Sequence, residues 1–123
     1  MGELISGMHH VSMLVKNTEV SLGFYIDVLG MRPIARPDLG FPGAWLGVGE
    51  QQILLLELPN PDPAENRPAH GGRDRHLALT VTDLDKLIGR LEQAGISYSL
   101  SKSGRAALFC RDPDGNGLEF IQA

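Results

Sequence analysis

The chain has 123 residues, a formal net charge of −4 and one cysteine. That length suits a single domain with a modest core, and 42% hydrophobic with 21% charged residues marks a folded chain, not a disordered one. The eleven Lys and Arg form no stripe, which argues against nucleic acid. Cys110 alone forbids an internal disulfide, and no apolar run approaches a membrane span, Ile53–Leu56 being broken by Glu57.

The segment 8–15 alternates as a strand, with Val11, Met13 and Val15 on one face and His10, Ser12 and Leu14 on the other. Asn17 or Thr18 then caps a helix whose apolar positions are Val20, Leu22, Phe24, Tyr25 and Leu29, stopped by Gly30. Extended segments follow at 32–36, 44–48 and 52–58, separated by the loop 36–43 and the turn Gly49-Glu50. A Pro- and Gly-rich stretch, 59–74, reads as a linker and surface loop. The order then repeats. A strand at 74–81 carries His76, Ala78 and Thr80 opposite Leu77, Leu79 and Val81. Asp83 caps a helix with Leu84, Leu87, Ile88 and Leu91 at i, i+3, i+4, i+7 spacing, stopped by Gly95. Strands at 97–101, 106–111 and 117–122 close the chain, the last two joined by the turn Asp112–Asn116. The predicted fold is α+β, two β-α-β-β-β modules (about 7–58 and 75–123) forming a curved mixed sheet around a cleft in a single domain.

MHHVSMLV (8–15) parallels DRHLALTV (74–81), and QILLLEL (52–58) parallels GNGLEFI (115–121). Each half thus contributes one His near its start and one Glu on its closing strand: His10 and Glu57, His76 and Glu119. Internal symmetry brings equivalent residues together, and strand alternation is read as placing all four on the cleft side. A Glu between leucines is costly to bury unless paired or bound to a cation. Neutral imidazole and carboxylate are ligands for Zn, Ni, Co, Mn or Fe, so the quartet predicts one divalent metal per site.

HHVSMLV, the helix segment GFYIDVLGM (23–31), RHLALTV (75–81) and DPDGNGLEF (112–120) together resemble the vicinal oxygen chelate superfamily, which includes glyoxalase I, extradiol dioxygenases and bleomycin-resistance proteins. The resemblance to glyoxalase I implies a four-ligand site at His10, Glu57, His76 and Glu119. It also implies Glu119 as the proton shuttle, Glu57 as a second possible base, and a lyase or isomerase reaction on a small substrate with vicinal oxygens through an enediolate-like intermediate. Extradiol dioxygenases correspond at His10, His76 and Glu119 only, so an Fe(II) oxygenase is the alternative, with a metal-free binding or resistance protein as a third. The positions matching the glutathione contacts of bacterial glyoxalase I hold Leu14 and Pro61, with Asn60 one residue early, which leaves glutathione use open. The superfamily pairs modules within a chain or across a dimer, so a homodimer is expected.

Other residues are read more plainly. His9 falls on the opposite face from His10, His70 and the linker arginines Arg67, Arg73 and Arg75 are taken as solvated, and Cys110 as a buried small hydrophobe. Phe41 and Trp45 are assigned to core packing, with a pocket lining as the other option. Gly47-Val48-Gly49 is a turn signal without the setting of a phosphate loop. The amino-terminal residues lack the pattern of a signal peptide, and Gly2 with Ser6 matches only a short lipidation motif, so a cytoplasmic location is expected.

Overall fold

A computed structural model describes residues 2–62 and 64–123. Two sheets of four strands each carry the expected repeat. Module one contains β1 (His10–Val15), α1 (Thr18–Leu22) continuing as a π-helical segment over Gly23–Val28, β2 (Arg32–Ile34), β3 (Gly43–Val48) and β4 (Gln51–Glu57). Module two contains β5 (His76–Val81), α2 (Leu84–Gln93), β6 (Ser99–Leu100), β7 (Ala107–Arg111) and β8 (Gly117–Gln122), with one 3-10 turn at Gly71–Arg73 before it. Strand order is β1-β4-β3-β2 in one sheet and β5-β8-β7-β6 in the other. The opening and closing strands of each module pair parallel, and the remaining pairs are antiparallel, so both sheets are mixed.

The helices begin and end as the sequence dictates. Asn17 Oδ1 accepts the Val20 N–H at 3.1 Å, and Asp83 Oδ1 accepts the Lys86 N–H at 3.0 Å. Gly30 and Gly95 terminate them at φ of 77° and 71°, a backbone region that strains any residue with a Cβ. A further brace comes from the closing strands. Glu57 Oε1 accepts the Thr18 N–H and Gln122 Oε1 accepts the Leu84 N–H, both at 2.7 Å, satisfying donors that a helix start otherwise leaves open.

One core runs through both modules. Met13, Val15, Ile53, Leu55 and Leu46 pack with Phe24 and Tyr25, while Leu108, Leu118 and Phe120 pack with Leu84, Leu87 and Leu91. The two halves are tied by polar contacts from the turn before β8. Tyr25 Oη donates to Asp112 Oδ2 at 2.7 Å, and Asn116 Nδ2 donates to the Leu14 carbonyl at 3.3 Å. Asp112 is 5% exposed and also accepts the Asp114 and Asn116 N–H groups, so its buried carboxylate is fully engaged. Burial and the neighbouring Asp112 charge push the Tyr25 hydroxyl pKa far above its ordinary value. The sequence pattern anticipated a regular first helix. The observed Leu29 N–H to Phe24 carbonyl bond, 3.0 Å, is instead the i to i+5 spacing of a π turn. That turn reconciles the irregular apolar spacing by burying both Phe24 and Tyr25, and leaves Val20 56% exposed.

Candidate metal centre

Register fixes which side chains share a face. His10 pairs with Gln52 and His76 with Gly117. Two residues further along the closing strands lie Leu54 and Glu119, so Leu54, not Glu57, is the symmetric counterpart of Glu119. Glu57 pairs with Val15 on the helix side of the sheet, and its counterpart in the repeat is Gln122. The expectation that all four residues share the cleft side is therefore corrected for Glu57. Its carboxylate faces the start of α1 and lines a hollow with Lys16, Asn60 and Glu65, away from both histidines.

His76 and Glu119 do converge. Nε2 of His76 lies 3.1 Å from Oε1 of Glu119, a carboxylate whose side chain is only 8% exposed. Nδ1 of His76 lies 2.9 Å from the Asp74 carbonyl. A carbonyl only accepts, so Nδ1 carries the proton, and the Nε2 lone pair of a neutral ring then faces a carboxylate oxygen. A proton or a cation must sit between two such acceptors. Imidazole and carboxylate are donors that a divalent metal takes, and a carbonyl behind the imidazole is the usual second support of a ligating histidine, so this pair would contribute two ligands to such a metal.

Asp74 itself is held from two sides. Arg111 Nη1 reaches its Oδ2 at 2.9 Å and Arg67 Nη1 its Oδ1 at 3.3 Å, while Arg111 also donates to the carbonyls of Gly115 and Pro68. The Arg111 hydrogen bond holds the Asp74 carboxyl below the ordinary carboxylate range. Phe109 stands edge-on to His76, with ring centroids 5.1 Å apart, and packs on its other side against His70 at 5.0 Å. His70 is thus not a free surface residue. Its Nδ1 accepts the Gly72 N–H at 3.0 Å, and Nε2 is left to donate to the Leu100 carbonyl at 3.3 Å.

His10 and His76 line one cavity of about 510 Å³, together with Asn60, Arg67, Arg75 and Asn116. His10 does not reach the His76–Glu119 pair; its Nδ1 lies 2.8 Å from that of His9. Among the described residues, no three His, Cys, Asp or Glu side chains converge closely enough to hold a metal. Alternation alone missed three contributors. Asp74 and Phe109 act through His76 and carried no signal in the sequence. Trp45 lies on the open face beside Leu54 and Ile34, outside the core to which the sequence assigned it.

The chain covers 94% of its length at 36% identity with Glyoxylase I 4 of Arabidopsis thaliana, matching 70% of that protein. It is 34% identical to a lactoylglutathione lyase of Neisseria meningitidis, across 92% of this chain and 88% of that one. A solved glyoxalase family protein of Bacillus anthracis superposes with a TM-score of 0.82 at 26% identity, covering 99% of this chain and 98% of its own. No helix among the described residues is long and apolar enough to cross a membrane. The family model for the Glyoxalase/Bleomycin resistance protein/Dioxygenase superfamily matches residues 7–120, and the chain belongs to that superfamily.

Proposed function

We propose that the protein is a divalent-metal-dependent enzyme of the glyoxalase type, a lyase or isomerase acting on a small substrate with two neighbouring oxygens. The observation that carries this reading is the His76 Nε2–Glu119 Oε1 pair at 3.1 Å, backed by the Asp74 carbonyl. His76 and Glu119 hold the metal, and His10 supplies the third ligand, from this chain after rotation away from His9 or from a second copy in a homodimer. When bound, the metal polarises the substrate oxygens as a Lewis acid. Glu119 lies within the site, with a second carboxylate oxygen to take up the proton on the carbon beside the substrate carbonyl and return it to the neighbouring carbon. The Asp74 carbonyl keeps His76 in one tautomer throughout, and Phe109 fixes its ring plane. A relative named lactoylglutathione lyase supports the reaction class.

One observation favours a second reading. Leu54 at the position symmetric to Glu119 reduces the donor set to two histidines and one carboxylate, the triad that suits Fe(II) oxygenases. Elemental analysis of protein purified without chelators, followed by hemithioacetal isomerase and catechol-dependent oxygen-uptake assays, separates the two. About one metal per site is expected with isomerase turnover. Protein that binds no metal under any loading condition sinks both.

A further inference from the structure

We propose that the open face of module one is a wall that recognises an oxyanion, a carboxylate, phosphonate or phosphate group borne by the small substrate. The inference deepens the reading of the cleft as a substrate site but does not depend on the metal.

The register lays the wall out in rows across the sheet. His10, Gln52, Gly47 and Arg32 are successive partners, as are Ser12, Leu54, Trp45 and Ile34, and then Leu14, Leu56 and Gly43. All of them face away from α1. Two of the three β3 positions on this face are glycine, and each accommodates an arginine. A Cβ at Gly47 would collide with the Arg32 guanidinium, and one at Gly43 would collide first with the Leu55 carbonyl and then meet Arg36 Nη2 at 3.1 Å and Nε at 3.2 Å. Both guanidinium groups therefore lie against the sheet surface, on the face that bears His10. Arg36 is anchored there by donating Nη2 to the Phe41 carbonyl at 2.8 Å and by the Phe41 ring, 5.1 Å from its Cζ.

The donors on this wall lack acceptors. Arg36 Nε and Trp45 Nε1 are both buried with no hydrogen-bond partner among the described residues. Leaving such a donor unmade costs about 1–3 kcal/mol, so an anion that shifts the Arg36 and Trp45 side chains enough to reach these two atoms recovers that cost. Arg32 is exposed and makes no ion pair among the described residues. No Asp or Glu occupies any position in the three rows. Positive charge, planar N–H forks and an indole N–H with no competing carboxylate are complementary to an oxygen-rich anion and to little else. Module two has no such wall. The strand position matching Gly47 is Arg111, whose guanidinium is committed to Asp74 and two carbonyls.

Trp45 is the single tryptophan, so its indole N–H gives one resonance in a proton–nitrogen NMR spectrum. Inorganic phosphate titrated into metal-stripped protein, against chloride at equal ionic strength, should shift that resonance saturably in the millimolar range. Arg32→Gln and Arg36→Gln, each checked for folding by circular dichroism, should weaken the apparent affinity about tenfold. His76→Ala should bind phosphate as the unmodified protein does, which separates this wall from the metal reading. A shift that does not saturate, that chloride reproduces, that survives both arginine variants within about twofold, or that requires added metal overturns the proposal.

Discussion

The two modules share strand order, pairing and helix braces, yet their open faces have diverged. Module two sets Glu119 beside His76 and Phe109, while module one sets Leu54 and Trp45 at the matching positions and adds Arg32 and Arg36. The helix-facing side has been kept by contrast. Glu57 and Gln122 make the same 2.7 Å bond to the first N–H of their helices, one with a carboxylate and one with an amide. Packing constrains the buried side in both copies, whereas the open side is free to specialise. One half presents a His–Glu pair on its open face, and the other presents two arginines and a tryptophan.

The largest effect expected from breaking this comparison is at Glu119. Glu119→Gln removes both a ligand charge and the proton acceptor, so bound metal should fall well below one per site by elemental analysis and turnover should drop about 10²–10⁴-fold. Leu54→Glu sharpens the comparison by giving module one the carboxylate of module two. A carboxylate placed there without a cation should lower the unfolding free energy of metal-stripped protein by about 1–3 kcal/mol in urea titrations. Added metal should recover that loss. Tyr25→Phe removes the buried bond to Asp112 that joins the modules and should cost about 1–3 kcal/mol in the same assay, without changing metal content.

Glu57→Gln should be nearly silent. It copies Gln122, so metal content should stay within error and stability within about 0.5 kcal/mol; a loss of metal would restore Glu57 to the ligand set. Smallest in native protein is the response of Cys110, whose thiol burial pushes up to about 12. Its folded value lies above the ordinary 9.0, so the contribution to stability is whole below pH 9 and declines as pH rises toward 12. At pH 8 Ellman's reagent should label Cys110 only after unfolding.

The local parts of this structure were legible in the sequence because they depend on local chemistry. Asn17 and Asp83 cap, Gly30 and Gly95 stop, and the two histidines open their strands where alternation put them. Glu57 was misassigned for a physical reason. Matching LEL to LEF aligns it with Glu119, but the strand register sets the true equivalence three residues earlier, at Leu54. An odd slip along a strand reverses the face, and a face is settled by the neighbouring strand, not by the strand's own alternation. For Trp45 the sequence leaves core packing and a pocket lining both open and favours the core. Its face follows from pairing with Leu54 and Ile34, contacts that no window of sequence contains. Asp74 and Phe109 escaped because they act by holding the His76 ring in place, through contacts that no local pattern signals.

The arginine clasp on Asp74 has a consequence for how the halves are connected. Arg111 holds the Pro68 carbonyl, Arg75 pairs with Asp62 at 2.9 Å, and the His70 ring nitrogen meets the Leu100 carbonyl. Asp62, Pro68 and His70 of the connecting segment are thereby stitched to module two. The stretch from Leu58 to Pro61 lies between that segment and the end of β4. Should two chains trade halves, the connector would travel as cargo of the second module, and the exchange would pivot on those four residues.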